Sequence, residues 1–340
     1  MLCDFQNEKM IISLTQIITL EKETINTLNH LGSQRSPFFF VIDFEKKQPW
    51  ICPLSELDEQ EVLFEVNGFS NFLAPDIQGK QLEFNVRPVN KNSYKKSFEQ
   101  VQQHIKHGNS FLLNLTMPSR ITTNFSLKEI FFQSKAKYKL WFRGRFVVFS
   151  PEIFIRTRGN KISSFPMKGT IDADLPDAKK QLLQSEKELA EHYTIVDLIR
   201  NDLSMVAKNV QVDKFRYIDH IKTHHKNLLQ MSSKITGELE KNWQNRLGDI
   251  LMSMLPAGSI SGAPKKKTLE IISESEQYNR GYYTGIFGVF SGRDIDSGVM
   301  IRYIEKTDKG LIYKSGGGIT SKSNFEEEYR ELIDKIYVPF

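Results

Sequence analysis

The chain has 340 residues, which is enough for one large domain or two smaller ones with a sizeable core. With 39% hydrophobic and 26% charged residues, its composition is typical of a soluble globular protein. The net charge of +5 is mild and the basic residues are dispersed, which argues against a nucleic-acid-binding protein. We expect the basic run from Lys265 to Lys267 to be a solvated turn or a site for a small anion.

The cysteines and the N-terminus indicate the compartment. Cys3 and Cys52 form no disulfide framework and lack metal-ligand spacing, which suits a reducing cytosol. The apolar stretch from Met10 to Leu20 is short, contains polar residues and follows acidic ones, so it predicts neither a signal peptide nor a transmembrane span. We therefore expect a cytoplasmic protein without a membrane partner or a nucleic-acid partner.

Apolar runs and helical spacing predict the order of the elements. The first part of the chain is expected to contain a β-hairpin at 37–43 and 48–53, a polar loop up to Asn85, a helix from Ser93 to His107 and a buried strand at 111–121. There follow a helix around 126–134, strand runs at 142–157 and 160–167, a long amphipathic helix from Asp177 to Ser204, and strands alternating with helices. This order predicts one compact α/β (α+β) unit, with residues 1–84 as an appended layer and 85–340 as the main domain.

Glu152 and Lys168 lie on either side of a predicted β-hairpin. Two β-prone runs flank a turn signal at Gly159 and Asn160. A tight turn there would place the Glu152 carboxylate opposite the Lys168 amine across the ladder. Such a pair is either an ordinary cross-strand salt bridge or a nucleophilic amine with a proton partner.

Two acidic pairs occur at helical spacing. Glu188 and Glu191 are three residues apart in a predicted helix, and Glu328 and Glu331 repeat the pattern near the C-terminus. Carboxylate oxygens without neighbouring His or Cys ligands suit a hard cation such as Mg²⁺. The alternative is a pair of solvated acidic faces.

Three further segments could bind anions. The glycines Gly316 to Gly318 follow an apparent strand and predict a tight turn whose exposed N–H groups could contact an anion. The stretch 255–272 places small residues before a helix that begins near Pro264. Residues 299–305 are predicted to form a strand, in which Arg302 would need a carboxylate partner from the protein or a ligand.

A histidine cluster is also present. His220, His224 and His225 are closely spaced, and His192 follows Glu191. Since the chain has no HExxH motif, we do not expect a zinc site.

Taken together, these segments resemble the chorismate-utilising enzyme family, and most closely its aminodeoxychorismate synthase branch. The similarity covers about residues 85 to 340, and its motifs occur in the family's order: SPE, PMKGT, AEHYTIVDLIRNDL, PAGSISGAPK, RGYYTGIFG, MIRY, SGGGI and a terminal acidic helix. The resemblance implies an anthranilate synthase component I-like fold, with large antiparallel sheets packed as a sandwich and flanking helices. The active site would lie in a cleft between the sheets, and residues 85–340 would be the chorismate-binding catalytic domain.

The resemblance also implies roles for individual residues. Glu191 and Glu331 would bind Mg²⁺, with Glu188 and Glu328 supporting it through water, and the metal would bind the ring carboxylate of chorismate. The enolpyruvyl carboxylate would be bound by Tyr283 and Arg302. The ring carboxylate would also contact Lys335 and the amides of Gly316, Gly317 and Gly318. Two further positions that would contact the substrate are Ser259, where the family usually has threonine, and Gln230.

Lys168 discriminates between branches of the family, because anthranilate synthases have P-x-A-G-T at the equivalent motif. In aminodeoxychorismate synthases the lysine attacks C2 of chorismate as the C4 hydroxyl leaves, and ammonia then adds at C4 and expels the lysine. The implied reaction converts chorismate and ammonia to 4-amino-4-deoxychorismate, for p-aminobenzoate and folate biosynthesis. A separate glutamine amidotransferase subunit would supply the ammonia.

Two expectations concern the chemistry of this reaction. Glu152 would shuttle the protons as acid and base. A lysine is almost fully protonated at neutral pH, so we expect the site to lower the pKa of Lys168 by desolvation or by a nearby cation, for which Mg²⁺ is the candidate.

Some positions depart from the family's pattern. Gln230 occupies the position of the family's active-site histidine and cannot titrate, so the acid role falls to Glu152. Leu112 replaces the lysine that activates water in salicylate and isochorismate synthases, which disfavours water as the nucleophile. The short N-terminal region puts a tryptophan-binding pocket in doubt. The alternatives are anthranilate synthase component I, an isochorismate- or salicylate-type synthase, and a carboxylate-binding protein without the chemistry.

Overall fold

The computed structural model describes residues 14–73, 81–222 and 227–340. Its helices are α1 (Leu14–Ser33), α2 (Lys91–Lys106), α3 (Leu127–Gln133), α4 (Ala178–Gln184), α5 (Glu186–Ser204), α6 (Leu247–Met254), α7 (Lys265–Glu276) and α8 (Phe325–Asp334). Its strands up to the middle of the chain are β1 (Phe38–Ile42), β2 (Trp50–Pro53), β3 (Val62–Val66), β4 (Phe69–Ser70), β5 (Phe84–Arg87), β6 (Leu112–Thr123), β7 (Tyr138–Phe142), β8 (Phe146–Ser150) and β9 (Ile153–Arg158). The later strands are β10 (Lys161–Ser164), β11 (Met167–Asp172), β12 (Lys208–Lys222), β13 (Asn227–Glu238), β14 (Gly262–Ala263), β15 (Ile286–Phe290), β16 (Ile295–Val299), β17 (Tyr303–Thr307) and β18 (Gly310–Thr320).

The described strands form two nine-stranded antiparallel sheets. The first sheet has the order β11-β13-β10-β9-β16-β15-β1-β2, and β12 also pairs with β13. The second sheet has the order β14-β6-β18-β17-β8-β7-β3-β4, and β5 also pairs with β6. The strands of the N-terminal region therefore join both sheets: β1 pairs with β15 in the first, and β3 pairs with β7 in the second.

The sequence of β1 shows how the sheets pack. All of its residues are buried. Phe39 and Val41 belong to an aromatic-rich core between the sheets, where the Phe39 ring stacks on Phe64 of the second sheet at 4.6 Å. Phe38 and Phe40 belong to the core on the opposite face, which includes residues of α1, α6 and α7. A strand buried on both faces explains the continuous apolar run, since an alternating pattern requires one face in water.

The predicted elements are confirmed in part. The hairpin of β1 and β2, the helix α2 and the strand β6 are all present, and α7 begins directly after Pro264. The polar loop expected before Asn85 is wrong, because Val62 and Phe64 are buried in β3.

The long helix predicted from Asp177 to Ser204 is wrong in one respect, because it is divided between α4 and α5. Ser185 has extended backbone angles, and its hydroxyl accepts from the N–H of Glu188 as the N-cap of α5. After this break α5 starts as a separate helix, and Glu188 in its first turn lies next to Gly169 of β11.

Candidate active site

Glu152 and Arg302 lie at two adjacent points where the chain passes from one sheet to the other. Glu152 follows β8 of the second sheet and precedes β9 of the first, whereas Arg302 follows β16 of the first and precedes β17 of the second. The N–H of Val299 donates to the carbonyl of Glu152, and that of Phe149 donates to the carbonyl of Arg302, each at 3.1 Å. The topology therefore brings a carboxylate and a guanidinium together between the sheets.

The hairpin that follows Glu152 is confirmed only over its central residues. Ile162 pairs with Thr157, but Pro166 has no N–H with which to continue the ladder. The next strand, β11, pairs with β13 instead and carries Lys168 away from β9. The predicted cross-strand pair of Glu152 and Lys168 is therefore wrong.

Lys168 forms its ion pair with α5. Its Nζ lies 2.7 Å from Oε2 of Glu191, and the Glu191 side chain is largely buried. Burial alone would lower the pKa of the Lys168 amine. The carboxylates of Glu331, Glu191 and Glu188 outweigh that effect, so the pKa is raised above its ordinary value. The expected lowering of this pKa is therefore not produced by the protein side chains alone, because their charge near the amine is negative.

Gly169 lets the carboxylate of Glu188 on α5 approach β11, the strand of Lys168. Its φ of +90° favours glycine, and a Cβ there would lie 2.7 Å from Oε2 of Glu188. The register of β11 shifts between Met167 and Thr170, so the residues between them leave the regular ladder. Gln230 on β13 donates from Nε2 to the carbonyl of Gly169 at 2.9 Å. This contact joins the Gln230 amide to the backbone next to Lys168.

The glycines Gly316 to Gly318 lie inside β18, so the predicted tight turn is wrong. They pair with residues 114–116 of β6. A Cβ on Gly316 would come within 2.2 Å of the carbonyl oxygen of Leu115. A Cβ on Gly317 would lie 3.3 Å from Oε1 of Glu331, and one on Gly318 would lie 4.0 Å from Nζ of Lys168. Because these glycines have no side chains, α8 with Glu331, β11 with Lys168 and the strand β6 can all approach the same stretch of backbone.

This glycine stretch also has an open edge. The ladder between β17 and β18 ends at Tyr303 and Lys314, so the described residues provide no strand on that edge of the glycines. The Nζ of Lys335 donates to the carbonyl of Gly316 at 2.8 Å and lies 2.6 Å from Oε1 of Glu331. Backbone groups and an ammonium are therefore close together at this edge, as a carboxylate ligand requires.

Glu152 is placed to hold a proton. Ser259, which follows Gly258 before α7, donates from Oγ to Oε1 of Glu152 at 2.5 Å. Burial raises the pKa of the Glu152 carboxyl. The hydrogen bond from Ser259 and the charges of Arg302 and Lys335 act in the opposite direction, but the net effect is a raised pKa. Such a carboxyl group can act as an acid and a base.

Arg302 has an incomplete set of partners. Its backbone is left-handed, with φ +54°, so the predicted continuous strand over 299–305 is wrong. Its Nε is buried and has no hydrogen-bond partner among the described residues. The guanidinium carbon lies 5.0 Å from the centre of the Tyr337 ring, and Tyr283 is buried close enough to interact electrostatically with it. A buried donor that lacks an acceptor favours an anionic ligand at this point.

The acidic helices offer a donor set whose chemistry fits Mg²⁺. Two carboxylates come from α5 and two from α8, and the set is Glu188, Glu191, Glu328 and Glu331. Oxygen donors of this kind are the ligands that Mg²⁺ prefers. Glu191 and Glu331 are ion-paired with lysines, and no group of three or more His, Cys, Asp or Glu side chains in residues 14–73, 81–222 and 227–340 is arranged around a metal position.

Some residues that shape the site were missed in the sequence. Tyr337 near the C-terminus contacts Arg302 across a long sequence separation. Asp202 accepts from the Nζ of Lys265 at 2.7 Å and from the N–H of Gly258 at 2.9 Å, which ties α5 to the segment of Ser259. The available signal for Asp202 and Lys265 was their position within the motifs RNDL and PAGSISGAPK, whereas Tyr337 lies outside these motifs.

The histidines do not alter this description. His220 lies on β12, whereas His224 and His225 lie outside the described residues. His192 is fully buried, and its Nε2 forms a hydrogen bond with Oγ of Ser233 at 2.6 Å.

Comparison with known proteins gives matches over most of the chain. The model of the chorismate binding enzyme family matches residues 37–339. The chain is 54% identical over 316 residues to an uncharacterized PabA-like protein of Haemophilus influenzae, covering 93% of this chain and 96% of the relative. It is 31% identical to aminodeoxychorismate synthase component 1 of Escherichia coli, with 73% of this chain and 57% of the relative covered. It is also 31% identical to anthranilate synthase component 1 of Acetivibrio thermocellus, with 73% and 52% covered.

Solved structures with a similar fold are known. The menaquinone-specific isochorismate synthase MenF of Escherichia coli superposes with a TM-score of 0.69 at 15% identity, covering 96% of this chain and 81% of that one. Anthranilate synthase component I of Streptococcus pneumoniae has a TM-score of 0.63 at 24% identity, covering 76% and 59%. These likenesses confirm the predicted fold, a sandwich of two antiparallel sheets with flanking helices. Among the helices of the described residues, none is long and apolar enough to cross a membrane.

Proposed function

This chain belongs to the family of chorismate binding enzymes, and from that membership we propose that it aminates chorismate at C4 with ammonia, as an aminodeoxychorismate synthase component I. Overall similarity does not select this activity, because relatives named aminodeoxychorismate synthase and anthranilate synthase are equally similar to the chain. The observation that carries the proposal is the position of Lys168, whose amine lies among Glu191, Glu331 and the side-chain-free backbone of Gly318.

Chorismate carries two carboxylates, and the site offers two groups of donors for them. The enolpyruvyl carboxylate would be bound by Arg302, whose Nε lacks an acceptor, together with the hydroxyl of Tyr283. The ring carboxylate would lie at the open edge of β18, near Lys335 and the amides of the glycines. These two contacts would orient the substrate with its ring between Lys168 and Glu152.

A magnesium ion would complete the ring-carboxylate subsite. Glu191 and Glu331 would hold it, supported by Glu188 and Glu328. When bound, the cation would offset the negative charge of the ring carboxylate and of the protein carboxylates.

For the covalent step, Lys168 and Glu152 would act from opposite sides of the substrate. The neutral amine of Lys168 would form a bond to C2, and the C4 hydroxyl would leave as water after protonation by Glu152. Ammonia would then form a bond to C4 and expel the Lys168 amine, and Glu152 would accept the released proton. The substrate thereby exchanges a hydroxyl group for an amino group, and the lysine is regenerated.

Ammonia would come from a separate glutamine amidotransferase subunit. The motifs identified in the sequence do not include an amidotransferase motif, so the ammonia would have to come from another protein. The name of a 54% identical relative, PabA-like, also suggests a connection with such a subunit. The expected product belongs to p-aminobenzoate and folate biosynthesis, and we expect the protein to act in the cytoplasm.

Product analysis tests the activity. Purified protein with chorismate, ammonium and Mg²⁺ should form 4-amino-4-deoxychorismate, identified by mass and retention time. Lys168→Ala should lose most of this product, whereas Lys161→Ala, which changes a half-exposed lysine on β10, should retain it. Formation of anthranilate or isochorismate instead would assign the chain to another branch of the family.

A trapping experiment tests the covalent step separately. With chorismate and Mg²⁺ but no ammonia, the intact protein should gain the mass of chorismate less one water, and peptide mapping should locate the gain on Lys168. If quenched samples never contain the adduct and Lys168→Ala aminates chorismate at the wild-type rate, the nucleophile assignment is wrong.

A further inference from the structure

The turn that follows β1 contacts the loop that carries Tyr283. The N–H of Phe44 donates to the carbonyl of Gly281 at 2.8 Å. In the opposite direction, Oε1 of Glu45 accepts from the N–H of Arg280 and Oε2 accepts from the N–H of Gly281, each at 2.9 Å. The two oxygens of the Glu45 carboxylate thus accept from two successive backbone amides, which fixes the orientation of that backbone.

The side chain of Arg280 extends this connection to the rest of the site. It is fully buried and donates to the carbonyl of Ile260 at 2.8 Å and to that of Asn114 at 2.7 Å. Ile260 follows Ser259, the hydrogen-bond donor to Glu152, and Asn114 pairs with Gly318 on β18. The guanidinium carbon of Arg280 also lies 4.5 Å from the centre of the Phe44 ring.

We propose that Glu45 is a positioning residue for the substrate-binding loop. By holding the amides of Arg280 and Gly281, it determines where the hydroxyl of Tyr283 meets the substrate. The Arg280 side chain, whose guanidinium also donates to both carboxylate oxygens of Glu276, then connects this backbone to the segments of Ser259 and Gly318. The inference rests on the proposed function, because it takes Tyr283 as a contact of the substrate carboxylate.

Glu45 connects the N-terminal layer to the proposed substrate-binding loop. Glu45 belongs to the N-terminal layer before residue 85, outside the motifs that identify the catalytic domain. The N-terminal layer therefore contributes to substrate binding as well as to the sheets.

The test compares Glu45→Ala with a matched control, Asp294→Ala. The Asp294 carboxylate also accepts from a backbone amide, that of Gly159 at 2.8 Å, but it lies in the turn between β15 and β16, which carries no site residue. The measurements are the Kd of chorismate by titration calorimetry with Mg²⁺, made on proteins that all also carry Lys168→Ala so that no covalent adduct forms, and the hydrogen exchange of the peptide covering residues 280–284.

Glu45→Ala should weaken chorismate binding roughly tenfold or more and speed exchange in the 280–284 peptide, because two amides lose their acceptors. Asp294→Ala should lower Tm and leave the Kd of chorismate within about twofold of the wild type. Glu45→Gln keeps the shape of the side chain but places an NH₂ group against one backbone N–H, so it should weaken chorismate binding by a smaller factor. If Glu45→Ala does not fold, Glu45→Gln alone tests whether Glu45 positions the loop.

A wild-type Kd in Glu45→Gln or Glu45→Ala, with Tm lowered as in the control, would show that Glu45 only stabilises the fold. The KM for ammonium should not change in either Glu45 variant, whereas a smaller folded fraction would lower kcat and leave both KM values unchanged. If the wild type does not aminate chorismate at C4, the proposed function fails, and the comparison of chorismate Kd values still decides the role of Glu45.

Discussion

The ammonium of Lys168 lies 2.7 Å from the carboxylate of Glu191, so the proposed nucleophile is held as a cation by a proposed metal ligand. The carboxylates that raise the pKa of Lys168 are the ones whose charge a bound dication would offset. Binding of the proposed Mg²⁺ would therefore be coupled to activation of the amine, because the same carboxylates would act on both.

This coupling predicts that Mg²⁺ increases the reactivity of Lys168. Each unit by which the pKa falls gives about tenfold more neutral amine, so acylation of Lys168 by an amine-reactive reagent should accelerate roughly tenfold or more with saturating Mg²⁺. Mass spectrometry of peptides measures the labelling, with the exposed Lys208 as an internal control that should not respond. Equal labelling with and without Mg²⁺ would show that the metal does not lower the pKa of Lys168.

Glu331→Gln should reduce kcat/KM by about a hundredfold or more, because it removes charge from the proposed metal site and from the contact with Lys335. Tm should change little, since the lost ion pair is offset by weaker repulsion among the remaining carboxylates. Glu327→Gln, which changes an exposed residue in the first turn of the same helix, should have wild-type kinetics. Full activity of Glu331→Gln at low Mg²⁺ would exclude Glu331 as a ligand.

Arg302→Lys keeps the charge but loses the planar fork, so we expect a loss of about 1 to 3 kcal/mol in kcat/KM for chorismate. Arg293→Lys in the exposed turn between β15 and β16 is the control and should have no effect. An unchanged kcat/KM in Arg302→Lys would mean that the arginine only stabilises the crossover between the sheets.

Ser259→Ala should shift the basic limb of the pH profile of kcat/KM to higher pH. The protonated form of Glu152 is the proposed acid, and its fraction falls as pH rises through its pKa. The Ser259 hydroxyl stabilises the ionised form and so lowers this pKa, against the larger effect of burial. Removing the hydroxyl therefore raises the pKa further. A limb that stays in place, or moves to lower pH, would exclude Glu152 as the titrating group.

Gly169→Ala should destabilise the protein and impair Mg²⁺ binding together. The backbone at φ +90° costs about 1 to 2 kcal/mol for an alanine, and the new Cβ would displace the Glu188 carboxylate. Gly159→Ala is the matched control, because its φ is +61° and its Cβ would have open space. Thermal unfolding and Mg²⁺ calorimetry should show a stability loss in both variants and weaker metal binding in Gly169→Ala alone. Equal Mg²⁺ affinity in Gly169→Ala and Gly159→Ala would show that Glu188 does not contribute to metal binding.

The sequence determined the local features of this protein. Helical spacing placed Glu188 with Glu191 and Glu328 with Glu331 on single helices, because residues three apart share a face. The ordered motifs indicated the family, and the lysine of PMKGT is the basis for the proposed branch. The turn at Gly159 and the start of α7 after Pro264 were also predicted, since both depend on neighbouring residues alone.

Only the tertiary structure decided which side chains meet. Lys168 pairs with Glu191 and not with Glu152, because Pro166 ends one ladder and β11 joins a different strand. The glycines of β18 were predicted as a turn because their strand character comes from β6, about two hundred residues earlier in the chain. Glu152 and Arg302 come together through two crossovers between sheets. Such contacts depend on strand order, which local sequence patterns do not encode.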